Sequence, residues 1–311
     1  MFFKKGAKAP HKVPLHAWLS VAAIAMLLGA CGGGGEGGQT TAAVALTPEQ
    51  AKLVAGRAAL LPSIWAAVVF DRSDLVRNLE GRVRALCAEG GSIASGGFDN
   101  DGNHVPSAGD FLYVEASNCN TLSSSTIGRD GNLTSVVKFG DANLATWRLD
   151  TTQTYQNYLT ALAGAKVRFS GSVDLKETVT SSALQVNLSI VGGQGVNKMQ
   201  INGAAIRQAN SVSTPSLEGT VVDSDTTVQT NLSNGETVSF TVTATSQSPL
   251  QLDASGQALS GSLKLQFKGA QVALNVIAAG QVRIDLDNNS DGVVDGTQVL
   301  DWSSLIAAAK L

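Results

Sequence analysis

From Lys166 onward apolar and polar side chains alternate with a period of two. Val167, Phe169, Gly171, Val173 and Leu175 interleave with Lys166, Arg168, Ser170, Ser172 and Asp174. Leu184, Val186, Leu188 and Ile190 interleave with Gln185, Asn187 and Ser189, and Val238, Phe240 and Val242 with Ser239 and Thr241. Leu259, Gly261, Leu263, Leu265 and Phe267 form a further run, followed by Val272, Leu274 and Val276 and by Val282, Ile284 and Leu286. Alternation of this kind predicts antiparallel strands with one dry and one wet face, roughly ten of them. Asp130-Gly131, Asn202-Gly203 and Asn234-Gly235 are hairpin-turn signals. No long crossover helices separate the runs, so a meander is expected and parallel βαβ units are not.

Ahead of the strands the period is helical. Thr47 can cap a helix, Pro48 suits its first position and Gln50 can complete a capping box. Leu53, Val54, Ala58, Leu60 and Leu61 follow, and Pro62 is expected to break or bend the helix. A second helical stretch is predicted over 63–86, with Leu75, Leu79, Val83 and Leu86 as a core-facing stripe or a partner-binding groove. The apolar face of the meander must be covered by closure into a barrel, by folding over as a sandwich, or by these helices. The expectation is a mainly β fold: a large antiparallel meander forming a curved sheet or barrel. A helical segment, residues 47–86, would pack on or plug a β-domain of residues 87–311. A transmembrane barrel would alternate too, but the chain has few aromatic residues for girdles, only 5% in all.

The N-terminus reads as an export signal over residues 1–30. Lys4, Lys5, Lys8 and Lys12 precede an apolar stretch from Ala17 to Leu28, too short to span about 30 Å of hydrocarbon as a free helix. Leu28-Gly29-Ala30-Cys31 resembles a bacterial lipobox. That resemblance implies cleavage before Cys31 and lipidation of that cysteine, on sulfur and on its new amine. Gly32 in the following position, where an Asp implies inner-membrane retention, points by the same resemblance to the outer membrane of a Gram-negative cell. Several acyl chains together anchor stably. The run Gly32-Gly33-Gly34-Gly35-Glu36-Gly37-Gly38-Gln39 has little to bury, so residues 31–46 read as a tether.

Charge and cysteines narrow the partners. Without residues 1–30 the chain holds 18 basic and 25 acidic residues, a formal net charge of −7. It lacks the basic footprint of a nucleic-acid binder. Cys87 and Cys119, 32 positions apart, are expected to form a disulfide in an oxidising compartment. A redox pair is the alternative, though no Cys-x-x-Cys is present.

Two stretches are rich in Asp, Asn and Gly. In the first, Asp99, Asp101, Asn103, the Val105 carbonyl, Ser107 and Asp110 fall at places one, three, five, seven, nine and twelve. In the second, Asp287, Asn289, Asp291, the Val293 carbonyl and Asp295 take places one to nine, with Gly292 at the sixth. These are the ligand places of a twelve-residue calcium loop, in which short oxygen-bearing side chains converge on a hard cation. Both loops resemble dockerin-type and EF-hand-like calcium loops, and both depart from them. His104 stands at the sixth place of loop one, whose Gly102 comes two positions early; loop two ends in Gln298, for which Asp301 is a candidate substitute. A β-turn rich in Asp, Asn and Gly that needs no metal is the alternative reading. The C-terminal stretch from Ile284 to Leu305 is similar to endings of uncharacterised exported bacterial lipoproteins, a resemblance that carries no activity.

Other chemistry is sparse. His104 is the single histidine beyond residue 30, and there is no Gly-x-Ser-x-Gly elbow and no His-Glu-x-x-His. Gly192-Gly193-Gln194-Gly195 opens no helix. Asp150, Asp174, Glu177, Glu218 and Asp223 read as wet-face or turn acids, and Trp147, Tyr155 and Tyr158 as core or as a cleft lining. The function expected is an outer-membrane-anchored lipoprotein with a non-enzymatic, calcium-braced β-domain that binds a ligand or an envelope component or protein. The alternatives are a structural or adhesive surface module, or a carboxylate-based hydrolase of envelope polymers.

Overall fold

The computed structural model describes residues 45–76, 82–87, 90–119, 129–141, 148–192, 198–209, 221–231, 237–253, 256–267 and 269–309. The signal segment, Cys31 and the tether up to residue 44 lie outside them, as do Leu79, Trp147, Glu218 and Asn234-Gly235.

One helix, α1 (Pro48–Val76), opens the described chain. Its capping box forms as expected: the Gln50 N–H donates to Thr47 Oγ1 at 3.2 Å, and the Thr47 N–H donates to Gln50 Oε1 at 2.8 Å. Pro62 lies inside α1 and does not end it. A proline in water would disfavour this turn, but here the helix is held on every side. Ala51, Leu53, Ala55, Ala59, Leu61, Ile64 and Val68 are buried around its whole circumference. A helix that is apolar all round belongs in a core.

That core is enclosed by a single antiparallel sheet of fourteen strands whose spatial order is their chain order. The strands are β1 (Arg82–Leu86), β2 (Ser92–Phe98), β3 (Phe111–Cys119), β4 (Arg129–Asp141), β5 (Arg148–Leu162), β6 (Ala165–Thr178) and β7 (Ser181–Gly192). They continue as β8 (Lys198–Ala209), β9 (Val221–Asn231), β10 (Thr237–Leu252), β11 (Ala258–Phe267), β12 (Ala270–Ala278), β13 (Gln281–Asp287) and β14 (Gly296–Asp301). A short helix, α2 (Trp302–Ala308), follows. Strands from both halves of the sheet, β2, β3, β5, β8, β9, β11, β12 and β13, touch α1. Fourteen strands about 4.8 Å apart make a ribbon ~62 Å wide, about the circumference of a cylinder drawn 10 Å from a helix axis. The sheet is therefore wide enough to wrap one helix, yet among the described residues no ladder joins β1 to β14, and the barrel is not closed.

The alternation read from the sequence is the inward face of this roll. Val167, Phe169, Val173, Leu175, Leu184, Val186, Leu188, Ile190, Leu263, Leu265, Val272, Leu274, Val282 and Ile284 are all buried. Leu259 departs from it and is exposed, because Gly261 takes φ +119° and the phase of β11 changes there, so that Ala258 points inward instead.

Residues 82–86 correct the helical reading. They form the edge strand β1, and Leu86 is 88% exposed on the outer face opposite Ser92. Arg-Val-Arg-Ala-Leu also fits a period of two, and so short a run cannot separate the two periods. The boundary between helix and sheet therefore falls between Val76 and Arg82.

Two of the turn signals also belong elsewhere. Asp130-Gly131 lies within β4 and Asn202-Gly203 within β8. They are part of a row of bulges that crosses the sheet. Asn118 and Asn157 take left-handed φ of 46° and 51°, and the ladders slip at Ala116/Cys119, Tyr155/Tyr158 and Val186/Asn187. A Cβ on Gly91, Gly131 or Gly171 would lie 2.1–2.3 Å from the carbonyl oxygen of Asn118, Asn157 or Asn187 respectively. Bulges sharpen the local bend and twist of a sheet; aligned across β2 to β8, they let it turn around α1.

α2 closes one flank. Gly56 lets it come near, since a Cβ there would stand 2.5 Å from the Leu305 carbonyl oxygen. Next to it Arg57, 1% exposed, donates from Nε to the Ala309 carbonyl at the end of α2. Burial lowers the Arg57 pKa to about 10, so it stays cationic at neutral pH and complements the negative end of α2.

Candidate functional site

Loop one joins β2 to β3. Asp99 accepts from the Gly102 and His104 N–H groups, each at 2.8 Å. Asp101 accepts from Asn103 N, Asn103 Nδ2 and Ser107 Oγ at 3.2, 2.8 and 3.0 Å. Asp110 is fully buried and accepts from Asn100 N at 2.9 Å, Ser107 N at 2.7 Å and Ser107 Oγ at 3.3 Å. Oxygens of Asp99, Asp101 and Asp110 lie within 4.8 Å of one another, the one such group of three acids among the described residues. The N–H of His104 is the main cause holding the Asp99 carboxyl below its ordinary range. Three carboxylates this close, with Asn103 alongside, form an oxygen set able to hold a metal ion.

The loop is seated on β4. Gly109 N donates to the Val137 carbonyl at 2.9 Å, and Val137 N donates back to the Asp110 carbonyl at 2.9 Å. Gly140 makes room, because a Cβ there would fall 1.8 Å from the Pro106 carbonyl oxygen.

Loop two joins β13 to β14. Asp287, 6% exposed, accepts from the N–H groups of Asn289, Asp291 and Gly292 at 3.3, 3.2 and 2.9 Å. Asn289 Nδ2 donates to Asp291 at 2.8 Å, and the Val293 N–H donates to Asp291 Oδ1 at 2.8 Å. Asp295 accepts from the Asn288 N–H at 2.7 Å. Gln298 does not complete the loop; its amide donates to the Pro48 carbonyl at 2.9 Å. Nor does Asp301, which lies at the far end of β14, opposite Gln281. Asn288 Oδ1 instead receives the Leu46 N–H at 2.8 Å, so the described chain begins against loop two.

Cys87 and Cys119 form a disulfide with Cα atoms 5.3 Å apart. It ties the end of β1, at the β1–β2 turn, to the end of β3 and so lies at the opposite end of the β2–β3 hairpin from loop one. Disulfide and loop therefore hold the two ends of one hairpin.

The remaining candidates disperse. Tyr155 and Tyr158 are buried in the core, Tyr155 edge-on to Phe169 with ring centroids 5.5 Å apart. Asp174 accepts from Thr152 Oγ1 at 2.5 Å. Glu177 is buried on the inner face of β6, against the wet-face reading, while Asp150 lies on the outer face of β5, covered by its partner Arg148. A mostly apolar cleft of about 580 Å³ opens between Leu60 of α1, Leu162 and Ala165 of the β5–β6 hairpin, and Trp302 and Ile306 of α2. It was not foreseen, because α2 carries too few residues to show a period.

No family model, no curated protein and no solved structure matches this chain.

Proposed function

We propose that the chain is a lipid-anchored protein of the Gram-negative outer membrane, moored through Cys31. In this reading its rolled sheet is a non-enzymatic module that binds an envelope component or another protein. The observation that carries the second half is the filled interior: the chain's own α1 takes the space a barrel would offer a ligand. Partners are then met on the outer face, at the loops or in the cleft beside α2. The anchor rests on the residues Leu28-Gly29-Ala30-Cys31 and the glycine-rich run after them. Metabolic labelling with a palmitate analogue tests it: the label should follow the protein into the membrane fraction, and Cys31→Ser should abolish it. An unlabelled chain with an intact N-terminus would refute the anchor.

Calcium is proposed as a brace, first for loop one, where Asp99, Asp101 and Asp110 lie within 4.8 Å, and second for loop two through Asp287, Asn289, Asp291 and Asp295. The affinity expected is that of extracellular modules, on the order of 10⁻⁴–10⁻³ M.

A further inference from the structure

Elsewhere on the sheet several outward polar side chains bond to one another. Arg148 pairs with Asp150, and Arg283 with Asp285 at 2.9 Å. Thr297 Oγ1 donates to Asp285, Ser260 to Gln251, and Ser248 shares a hydrogen bond with Ser262, all at 2.9 Å. The outer face of β1 to β4 differs. A trough of about 470 Å³ runs there, floored by the small residues Ser92 and Ala94. Arg82 and Arg84 line one side, and Tyr113, Glu115 and Asn132 the other. Among the described residues, the side chains of Arg82, Arg84, Tyr113 and Glu115 make no hydrogen bond or ion pair. The two guanidiniums stand at alternate positions of one edge strand, on the same face and about 7 Å apart at their Cα atoms. In an acidic chain, two unopposed arginines side by side form a local cationic spot.

The trough runs on into an aromatic ledge. Tyr113 stacks near Phe111 with centroids 6.3 Å apart, and Phe98 pairs directly across from Phe111. Phe98 is 59% exposed on a face of β2 otherwise built of small residues, and Phe111 beside it on β3 is 37% exposed. Exposed rings grouped in this way mark an interaction surface.

We propose that this face binds an acidic oligosaccharide. The guanidiniums of Arg82 and Arg84 hold ring carboxylates. Glu115, Asn132 and the Tyr113 hydroxyl bond sugar hydroxyls, and the C–H faces of the rings lie along Tyr113, Phe111 and Phe98. The lining has two cations, one anion, a phenol and an amide. That mixture fits a ligand with one charge among several hydroxyls per unit, and fits a continuous polyanion poorly, because Glu115 would repel it. The inference deepens the binding role proposed above and does not depend on the anchor.

The test is calorimetric titration of the full chain, in non-ionic detergent, with hexagalacturonate, neutral cellohexaose and a hexaglutamate peptide. Hexagalacturonate should bind, more weakly as salt rises, and cellohexaose and hexaglutamate should bind far less. R82Q/R84Q should weaken binding by about tenfold or more, while Y113A should weaken it at high and low salt alike. R207Q, which removes an exposed arginine on β8 away from the trough, should bind like the parent, and circular dichroism should show all variants folded. Three results would overturn the proposal: no hexagalacturonate binding, equal binding by a folded R82Q/R84Q, or hexaglutamate or cellohexaose binding as tightly. Palmitate labelling is read separately, so failure of the anchor and failure of this site remain distinct.

Discussion

The two acidic loops share a backbone and differ in how they close. Both take left-handed φ at the fourth and sixth places: Gly102 and His104 at 69° and 67°, Ser290 and Gly292 at 57° and 87°. In each, the first Asp accepts from the sixth N–H, at 2.8 Å from His104 and 2.9 Å from Gly292. In each, the seventh N–H reaches the fifth side chain at 2.8 Å. The acid that caps the second N–H comes at the twelfth place in loop one, Asp110, and at the ninth in loop two, Asp295. A turn scaffold alone therefore does not gather carboxylates. The three extra residues of loop one bring a third carboxylate back to the first two, and the early closure of loop two does not.

The largest effect should come from those closing acids. Asp110→Ala strands two part-buried backbone N–H groups, while the Ser107 hydroxyl keeps its bond to Asp101, for about 2 kcal/mol. Asp295→Ala strands one backbone N–H, for about 1 kcal/mol. Urea unfolding of both variants measures the difference, and a larger loss for Asp295→Ala would break the comparison. Next comes the seat of loop one. Gly140→Ala drives a methyl into the Pro106 carbonyl and should cost about 2 kcal/mol, with no counterpart at loop two.

Calcium sharpens the comparison further. At ten times its dissociation constant one site adds about 1.4 kcal/mol, so the melting temperature should rise measurably. Asp99→Ala should remove most of the rise and Asp287→Ala little of it. A rise lost in Asp287→Ala alone would assign the metal to loop two.

Much of this architecture was legible because the inner face of the roll repeats strictly: a residue such as Val186 or Leu274 declares its side by its neighbours. The capping box at Thr47 and the disulfide partners were legible for similarly local reasons. What stayed hidden depended on distant partners. Pro62 continues a helix because the sheet and α2 together bury that turn of α1 in the core. Asp130-Gly131 and Asn202-Gly203 have the residues of a hairpin turn, yet each sits where neighbouring strands bulge, and a lone dipeptide does not reveal its neighbours. The loops were legible as spacing: the acid at place twelve of loop one, Asp110, is the one that accepts the second N–H. In loop two the place-twelve rule pointed to Gln298 and past it to Asp301, while Asp295 accepts the second N–H.

A smaller effect tests the shared backbone itself. His104 takes a conformation that L side chains enter at a cost of about 1–2 kcal/mol. His104→Gly should relieve that, with part returned as unfolded-state entropy, for a net gain of about 0.5 kcal/mol. Gly292→Ala at the same place of loop two should lose about 1 kcal/mol. Thermal melts with opposite signs for the two variants would support a common scaffold.

The smallest effect is in acid. Asp99 is held below its ordinary pKa chiefly by the His104 N–H, with the Gly102 N–H adding to it. A carboxyl depressed in the folded state contributes stability above its unfolded value, about pH 4, and loses it as pH falls through the lower folded value. Stability should therefore drop below about pH 4 with a component that Asp99→Asn removes, flattening the acid limb of the parent. Because both donors belong to the backbone of loop one, His104→Gly, which keeps the N–H, should leave that component in place. Guanidine titrations from neutral pH downward on the three proteins would read it. An acid limb unchanged by Asp99→Asn would mean that loop one does not hold this carboxylate in its ionised form more strongly than the unfolded chain does.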